Sequence, residues 1–446
     1  MPTTPPLRRF TLVAVLLLTT WPATALSQAS RMSPDAPLGV IDTVIVGGNT
    51  KTRAYVILDE MSLRKGDTAT FNAMEYDKNR IYGLGLFTRV DIAYDSLQGM
   101  RFLFVDVNER WYLIPYPIFG FRDGDVKRPF GGAGFLHNNV GGRNQKLYAS
   151  LVFGSDPSAA LSFSDPLIDP AHRLFFSGGL SFSRVRNKTQ VDVQTTGPFD
   201  ELNYDLNGTL GKRFTLSQTA GLNLGYHAIH VSSWYSGRTV SNDGTDRFPY
   251  ATVFYGLDSR DLYEYASRGE YLSASLTKYG FGGSAFNVSR MFADMRMYRE
   301  LPLGFIVASR LFGNLTWGGE VPTYAHVFFG YGDRLRGWFT TVIEGDDNVG
   351  YTLELRHYLF TPRYFRVNFV SLPPEFSILR FGIAAALFAN TGTAWYRGDR
   401  LSWESLYSGY GGGLHFLLPY SLVVRVEYAW NQFHHGEFIL DLRGSI

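Results

Sequence analysis

Residues 350–359 read GYTLELRHYL, an alternation that places Tyr351, Leu353, Leu355 and Leu359 on one face and Thr352, Glu354 and Arg356 on the other. A period of two marks a strand whose faces meet different surroundings. A soluble sandwich turns its apolar face inward, whereas a transmembrane barrel turns it to lipid and its charges to the lumen. Residues 202–210, LNYDLNGTL, repeat the pattern with Leu202, Tyr204, Leu206 and Leu210 against Asn203, Asp205, Asn207 and Thr209. Residues 422–430, LVVRVEYAW, set Leu422, Val424, Val426, Tyr428 and Trp430 against Arg425 and Glu427. The aromatic pairs Tyr428/Trp430 and Trp395/Tyr396 fit the girdles of a membrane barrel. From residue 111 to 446 the chain offers about sixteen such segments, an even number as bacterial outer-membrane barrels require. Closing them into a barrel also removes sheet edges that would invite aggregation.

Composition agrees. Aromatics make up 16% of the chain, and 47 of 446 residues are glycine, above the ordinary share of about 7%. Mean hydropathy is −0.08, as expected where lipid-facing and lumen-facing residues cancel. The longest apolar runs, such as FGIAAALFA at 381–389, fall short of a spanning helix.

At the start of the chain, Arg8 and Arg9 precede the apolar run FTLVAVLLL, and Ala23-Thr24-Ala25 offers small residues for cleavage. Residues 1–25 therefore read as a secretory signal peptide and 26–38 as a linker. Without the signal peptide the basic residues number 42 − 2 = 40, against 40 acidic. That balance argues against nucleic acid as a partner. No cysteine occurs, which excludes a disulfide scaffold, a thiolate metal site, a cysteine nucleophile and a lipid-modified N-terminal cysteine.

Residues 39–110 read as a small α/β unit in the order strand, two helices, strand, strand. Gly48-Asn49 with Thr52, then Gly66-Asp67, then GLFTRV at 85–90, and a strand ending at Glu109 together resemble a polypeptide-transport-associated (POTRA) domain. On that reading the unit folds by itself.

Catalytic signatures are lacking: no G-x-S-x-G, H-E-x-x-H, P-loop or EF-hand pattern is present. His227 and His230 point to opposite faces of one strand, and His434 and His435 fall in a hairpin turn, so neither pair reads as a ligand set. The acidic run Glu344–Asn348 reads as a solvated outer loop. No enzyme activity, metal or cofactor is expected.

The long connection from Gly318 to Asp347 follows the eleventh barrel strand and is rich in aromatics, including FFGYGDRLRGWFT at 328–340. A loop this long and this apolar should fold back into the lumen. Its LRGW resembles the Arg-Gly-aromatic motif of the BamA/TamA-type outer-membrane assembly and secretion superfamily, the bacterial surface antigen barrels. GLDSRDLYEYASRGEY, GYTLELRHYL, FANTGTAW and YGGGLHF follow the same family's order, so with the POTRA unit the resemblance spans nearly the whole mature chain. It implies that Arg336 reaches Glu354 and the position of Asn390, that Gly337 permits a tight backbone, and that Trp338 anchors the loop. The family pattern at the second position is F-x-D-x-G, and here Phe388-Ala389-Asn390-Thr391-Gly392 carries an amide instead.

The resemblance further implies a factor in the outer membrane, its POTRA domain in the periplasm. That domain would capture unfolded outer-membrane or secreted clients and hand them to the barrel. Outer-membrane lipids and accessory periplasmic or lipoprotein partners would complete the system. A passive channel or receptor barrel is the alternative, and a docked loop that is purely structural is another. The first barrel strand, YLIPYPIFGF, carries Pro115 and Pro117, and the last carries the apolar face Phe438, Leu440 and Leu442. The two lost N–H donors fall on one neighbour. Either pairing starts only after Pro117 or that neighbour is weakly bonded, and both make the seam between first and last strands the weak one.

Overall fold

The computed structural model describes residues 36–122, 126–187, 189–191, 196–281, 283–366, 378–419 and 422–442. The signal-peptide reading of residues 1–25 lies outside them.

The N-terminal unit contains β1 (Gly39–Val40), β2 (Thr43–Gly47), α1 (Ala54–Leu58), β3 (Thr68–Ala69), α2 (Phe71–Gly83), β4 (Phe87–Leu97) and β5 (Met100–Glu109). Thr70 caps α2 by accepting from the Ala73 N–H, which satisfies one of the orphan donors of the first turn. A three-stranded sheet in the order β2-β5-β4 packs the helices over Ile57, Ile81, Leu103 and Val105, all fully buried. Asp77, also buried, ties α2 to the preceding loop by accepting from the N–H groups of Ser62 and Leu63 at 2.7 and 2.9 Å.

Sixteen antiparallel strands follow in one sheet. They are β6 (Leu113–Phe121), β7 (Pro129–Val140), β8 (Gln145–Gly154), β9 (Ser158–Asp169), β10 (Leu174–Arg186), β11 (Asp200–Arg213), β12 (Gln218–Val231), β13 (Thr245–Asp258), β14 (Gly269–Tyr279), β15 (Val288–Glu300) and β16 (Phe305–Gly318). After a hairpin of β17 (Val327–Phe329) and β18 (Ile343–Gly345) inside the long loop come β19 (Asp347–Arg366), β20 (Ile378–Trp395), β21 (Tyr407–Leu418), β22 (Leu422–Asn431) and β23 (Gly436–Leu442). Each strand pairs with its sequence neighbour, and β16 pairs with β19.

The alternation resolves outward. Leu206, Leu224, Leu387, Tyr428 and Leu440 are exposed, whereas Asp294, Glu354, Arg356, Asn390 and Glu427 are buried. Apolar side chains outside and charges inside are the pattern of a barrel in lipid and the inverse of a soluble sandwich. No helix among the described residues is long and apolar enough to cross a membrane.

Strand parity puts the long loop at one end and the N-terminal unit at the other. The unit touches the β7–β8, β9–β10 and β11–β12 turns: Arg53 N–H donates to Gly142 O at 2.9 Å, Arg173 pairs with Asp59 at 3.1 Å, and Arg213 pairs with Glu60 at 2.8 Å. Arg80 bridges Glu60 and Leu216 O at 2.5 and 2.6 Å. Leu262, from the β13–β14 connection, completes the unit's own apolar core. The unit read as separable therefore shares its core and its buried ion pairs with the barrel.

Candidate functional site

Glu354 sits on β19 opposite Phe388 of β20, and Thr352 sits opposite Asn390. Across the next two ladders Phe388 meets Gly411, and Gly411 meets Ala429. The inward positions of β21 are thus Gly409, Gly411 and Gly413. A side chain there would strike its surroundings: a Cβ on Gly409 would lie 1.9 Å from Arg336 O, and one on Gly413 would lie 2.8 Å from Glu427 Cγ. The glycines of this strand open a groove in the lumen wall, and the loop backbone lies in it.

Arg336 fills a socket in that wall. One guanidinium nitrogen donates to Glu354 at 2.8 Å and to Glu427 at 2.9 Å, and the other donates to Asn390 Oδ1 at 3.1 Å. The guanidinium lies over the Phe388 ring, 3.7 Å from its centroid. Arg336 is 6% exposed and Glu354 1%, so these are charge-assisted bonds shielded from solvent. Behind them, Arg356 donates to Glu354, and His415 Nε2 lies 3.0 Å from Glu427.

Gly337 has φ +95°, and a Cβ there would lie 2.8 Å from Trp430 O. Both the positive φ and the close approach require glycine. The next residues are held by Glu437, whose carboxylate accepts from the N–H groups of Gly337 and Phe339 at 2.7 and 2.8 Å. Trp338 donates to Ser408 O at 3.1 Å and packs edge-on to Tyr407 and Phe433. The sequence-named residues Arg336, Gly337, Trp338, Glu354 and Asn390 thus lie together. Glu427, Glu437, His415 and Phe388 join them. Glu427 was legible as lumen-facing, but only the β21–β22 register sets it at the height of Arg336.

Glu344–Asn348, read as a solvated outer loop, is mostly buried. Glu344 accepts from Gln190 N–H at 2.7 Å and meets His326 Nδ1 at 2.6 Å, Asp346 accepts from Arg397 N–H, and Asp347 accepts from Thr316 N–H at 2.6 Å. The carboxylates satisfy main-chain donors of neighbouring segments, which is why they can leave solvent.

The prolines also receive a definite setting. β6 pairs with β7 continuously from Leu113 to Phe121, Pro115 opposite Phe135 and Pro117 opposite Ala133, so pairing does not wait for Pro117. Asn138 N–H donates to Tyr112 O, and Arg122 N–H to Arg128 O. Even positions therefore bond β7, and Leu113, Pro115, Pro117, Phe119 and Phe121 turn their main chain away from it. The neighbour that loses two donors is thus the last strand, not β7. Among the described residues no ladder joins β6 to β23, the two ends of the sheet. By the same parity, from Asn431 N–H donating to His435 O, it is Phe438, Leu440 and Leu442 whose main chain faces the seam.

Residues 40–110 match the POTRA family model, described as a surface antigen variable number repeat. No curated protein sequence matches the chain significantly. Among solved structures, BamA from Haemophilus ducreyi lacking POTRA domains 1–3 is similar with 15% identity and TM-score 0.52, covering 91% of this chain and 84% of that one. CdiB from Escherichia coli is similar with 12% identity and TM-score 0.54, covering 91% and 74%. The chain has the fold of these proteins, a POTRA domain followed by a sixteen-stranded barrel.

Proposed function

We propose that this chain is an outer-membrane protein assembly or translocation factor. The observation that carries the reading is the Arg336 socket. A loop at one end of the barrel is bonded to β19, β20, β22 and β23, beside an unladdered seam, and a POTRA domain stands at the other end. The domain lies in the periplasm and the barrel in outer-membrane lipid. An unfolded outer-membrane or secreted client adds to an edge of the POTRA sheet through main-chain hydrogen bonds, a mode that needs little sequence preference. Accessory periplasmic or lipoprotein partners fit the same arrangement.

The client then meets the seam. Two of the five seam-facing residues of β6 are proline, so a client strand competes against an edge short of donors. Two absent ladder bonds remove roughly 1–3 kcal/mol of net pairing, at about 0.5–1.5 kcal/mol each. No covalent chemistry is involved. A passive channel is disfavoured because Arg336, Trp338 and their partners occupy the lumen beside the wall.

The reading is tested with purified protein in lipid vesicles. It predicts faster folding of a urea-unfolded barrel client, seen as a heat-modifiable band, than in empty vesicles, together with low, unsteady single-channel conductance. A steady large conductance with no acceleration of any client or secreted substrate would favour the passive channel.

A further inference from the structure

The ten residues between Asp258 and Gly269 connect β13 to β14 at the POTRA end of the barrel. A connection reading SRDLYEYASR would ordinarily be a solvated turn, yet Leu262, Glu264, Tyr265 and Ala266 are all buried. We propose that this connection is a strut that couples the POTRA domain to the Arg336 socket, with Tyr265 as its positioning residue.

Its first half belongs to the POTRA domain. Leu262 lies in that domain's core. The Tyr263 ring covers Gly83 at the end of α2, where a Cβ would come within 2.5 Å of it. Glu264 accepts from Arg380 at 2.6 Å, and Arg380 lies over the Tyr82 ring.

Its second half belongs to the socket, by two routes. In the first, Arg336 donates to Glu427, His415 donates from Nε2 to the same carboxylate oxygen at 3.0 Å, and Tyr265 lies 2.9 Å from His415 Nδ1. The carboxylate only accepts, so Nε2 carries the hydrogen, and Nδ1 is left to the Tyr265 hydroxyl. In the second, Arg336 donates to Glu354, Arg356 donates to the other oxygen of Glu354, and Arg356 Nη1 donates to Ala266 O at 3.3 Å. The Arg356 guanidinium also lies over the Tyr265 ring at 4.5 Å. Both routes end on adjacent residues.

The strut moves as a unit, because Asp261 closes it on itself by accepting from the N–H groups of Ser267 and Arg268 at 2.9 and 3.1 Å. Displacing the POTRA domain pulls Leu262 and Tyr263, and with them the groups that hold His415 and Arg356 against the two glutamates. The element with two states is the strut, seated or withdrawn, and both the domain and the loop bias it. Its purpose rests on the assembly reading, since client engagement would then loosen the loop beside the seam.

The test reads loop docking and not client assembly, so the two readings can fail separately. Leu335→Cys places the chain's sole thiol at a residue that is 2% exposed when the loop is docked. Maleimide labelling in membranes reports release. Tyr265→Phe takes the hydroxyl partner away from His415 Nδ1 and should speed labelling on the order of tenfold. Leu262→Ala, a change in the POTRA core, should speed it in the same direction. In an Arg336→Ala background, where the loop is already loose, Tyr265→Phe should add less than about twofold, the non-additivity of coupled sites. Should Tyr265→Phe give no heat-modifiable barrel, Leu262→Ala carries the test. The proposal is overturned if Leu262→Ala makes the POTRA domain protease-sensitive without changing labelling, or if Tyr265→Phe multiplies labelling equally in both backgrounds.

Discussion

Arg336→Ala removes two charge-assisted bonds, one amide bond and the stack on Phe388 from a site closed to water. It leaves Glu354 with Arg356 and Glu427 with His415, so neither carboxylate is wholly abandoned. Breaking a buried pair from one side typically costs about 3–5 kcal/mol, a shift on the order of 10²- to 10⁴-fold toward the undocked loop. The Glu437 and Trp338 contacts remain, so the loop should loosen and not leave. Semi-native gels give the readout: the variant barrel should lose its compact band at a lower temperature than wild type and fail to restore client assembly. Glu354→Gln and Glu427→Gln should each act in the same direction. Arg336→Lys should recover little, because one ammonium cannot span both carboxylates and the amide with the geometry of a planar fork. If Arg336→Ala matches wild type both in heat resistance and in client assembly, the socket has neither the energetic nor the functional role argued for it.

Asn390→Asp should keep the loop docked, since Arg336 gains a charged acceptor while the amide nitrogen it replaces has no partner among the described residues; a heat-stability change beyond about 1 kcal/mol in the destabilising direction would contradict this. Cysteines at Phe119 and at Phe438 or Leu440, oxidised across the seam, should block client insertion, and reduction should restore it; full activity with the crosslink complete would rule out opening there. Burial pushes the Glu109 carboxyl up, but the bonds it accepts from Thr52, Thr50 and Lys51 outweigh this and hold it below the ordinary glutamate value of 4.5. Its contribution is therefore present above that pH and lost as pH falls through the lowered value, so Glu109→Gln should lower POTRA stability at pH 7 and make the acid loss below about 4.5 shallower. Residues 39–110 expressed alone should melt well below the same domain in the full chain, because they lack Leu262 and expose the Arg80–Glu60 pair; equal transitions by calorimetry would show that the shared core does not matter.

Much of this architecture was legible because strand alternation is local. GYTLELRHYL assigns Glu354 to the lumen with no knowledge of its neighbours, and the length and aromatic content of 318–347 turn that loop inward. What stayed hidden depends on register and distance. Glu437 sits on a seven-residue closing strand whose pairing partner is needed to fix its height. Tyr265 and His415 are 150 residues apart, and the polar SRDLYEYASR carries no periodicity to mark it as buried. The prolines of β6 are plain in the sequence, but which neighbour loses their donors follows from hydrogen-bond parity along β6 and from nothing in the residue types.

On the assembly reading, other proteins reach or cross the outer membrane through this one. Depletion of the protein, followed by quantitative comparison of the outer-membrane and exported proteomes, tests it most directly. A defined set of barrel or secreted proteins should be lost, with their unfolded forms accumulating in the periplasm, reversed by the wild-type chain and not by Arg336→Ala. Unchanged proteomes with an altered uptake of small solutes would contradict it.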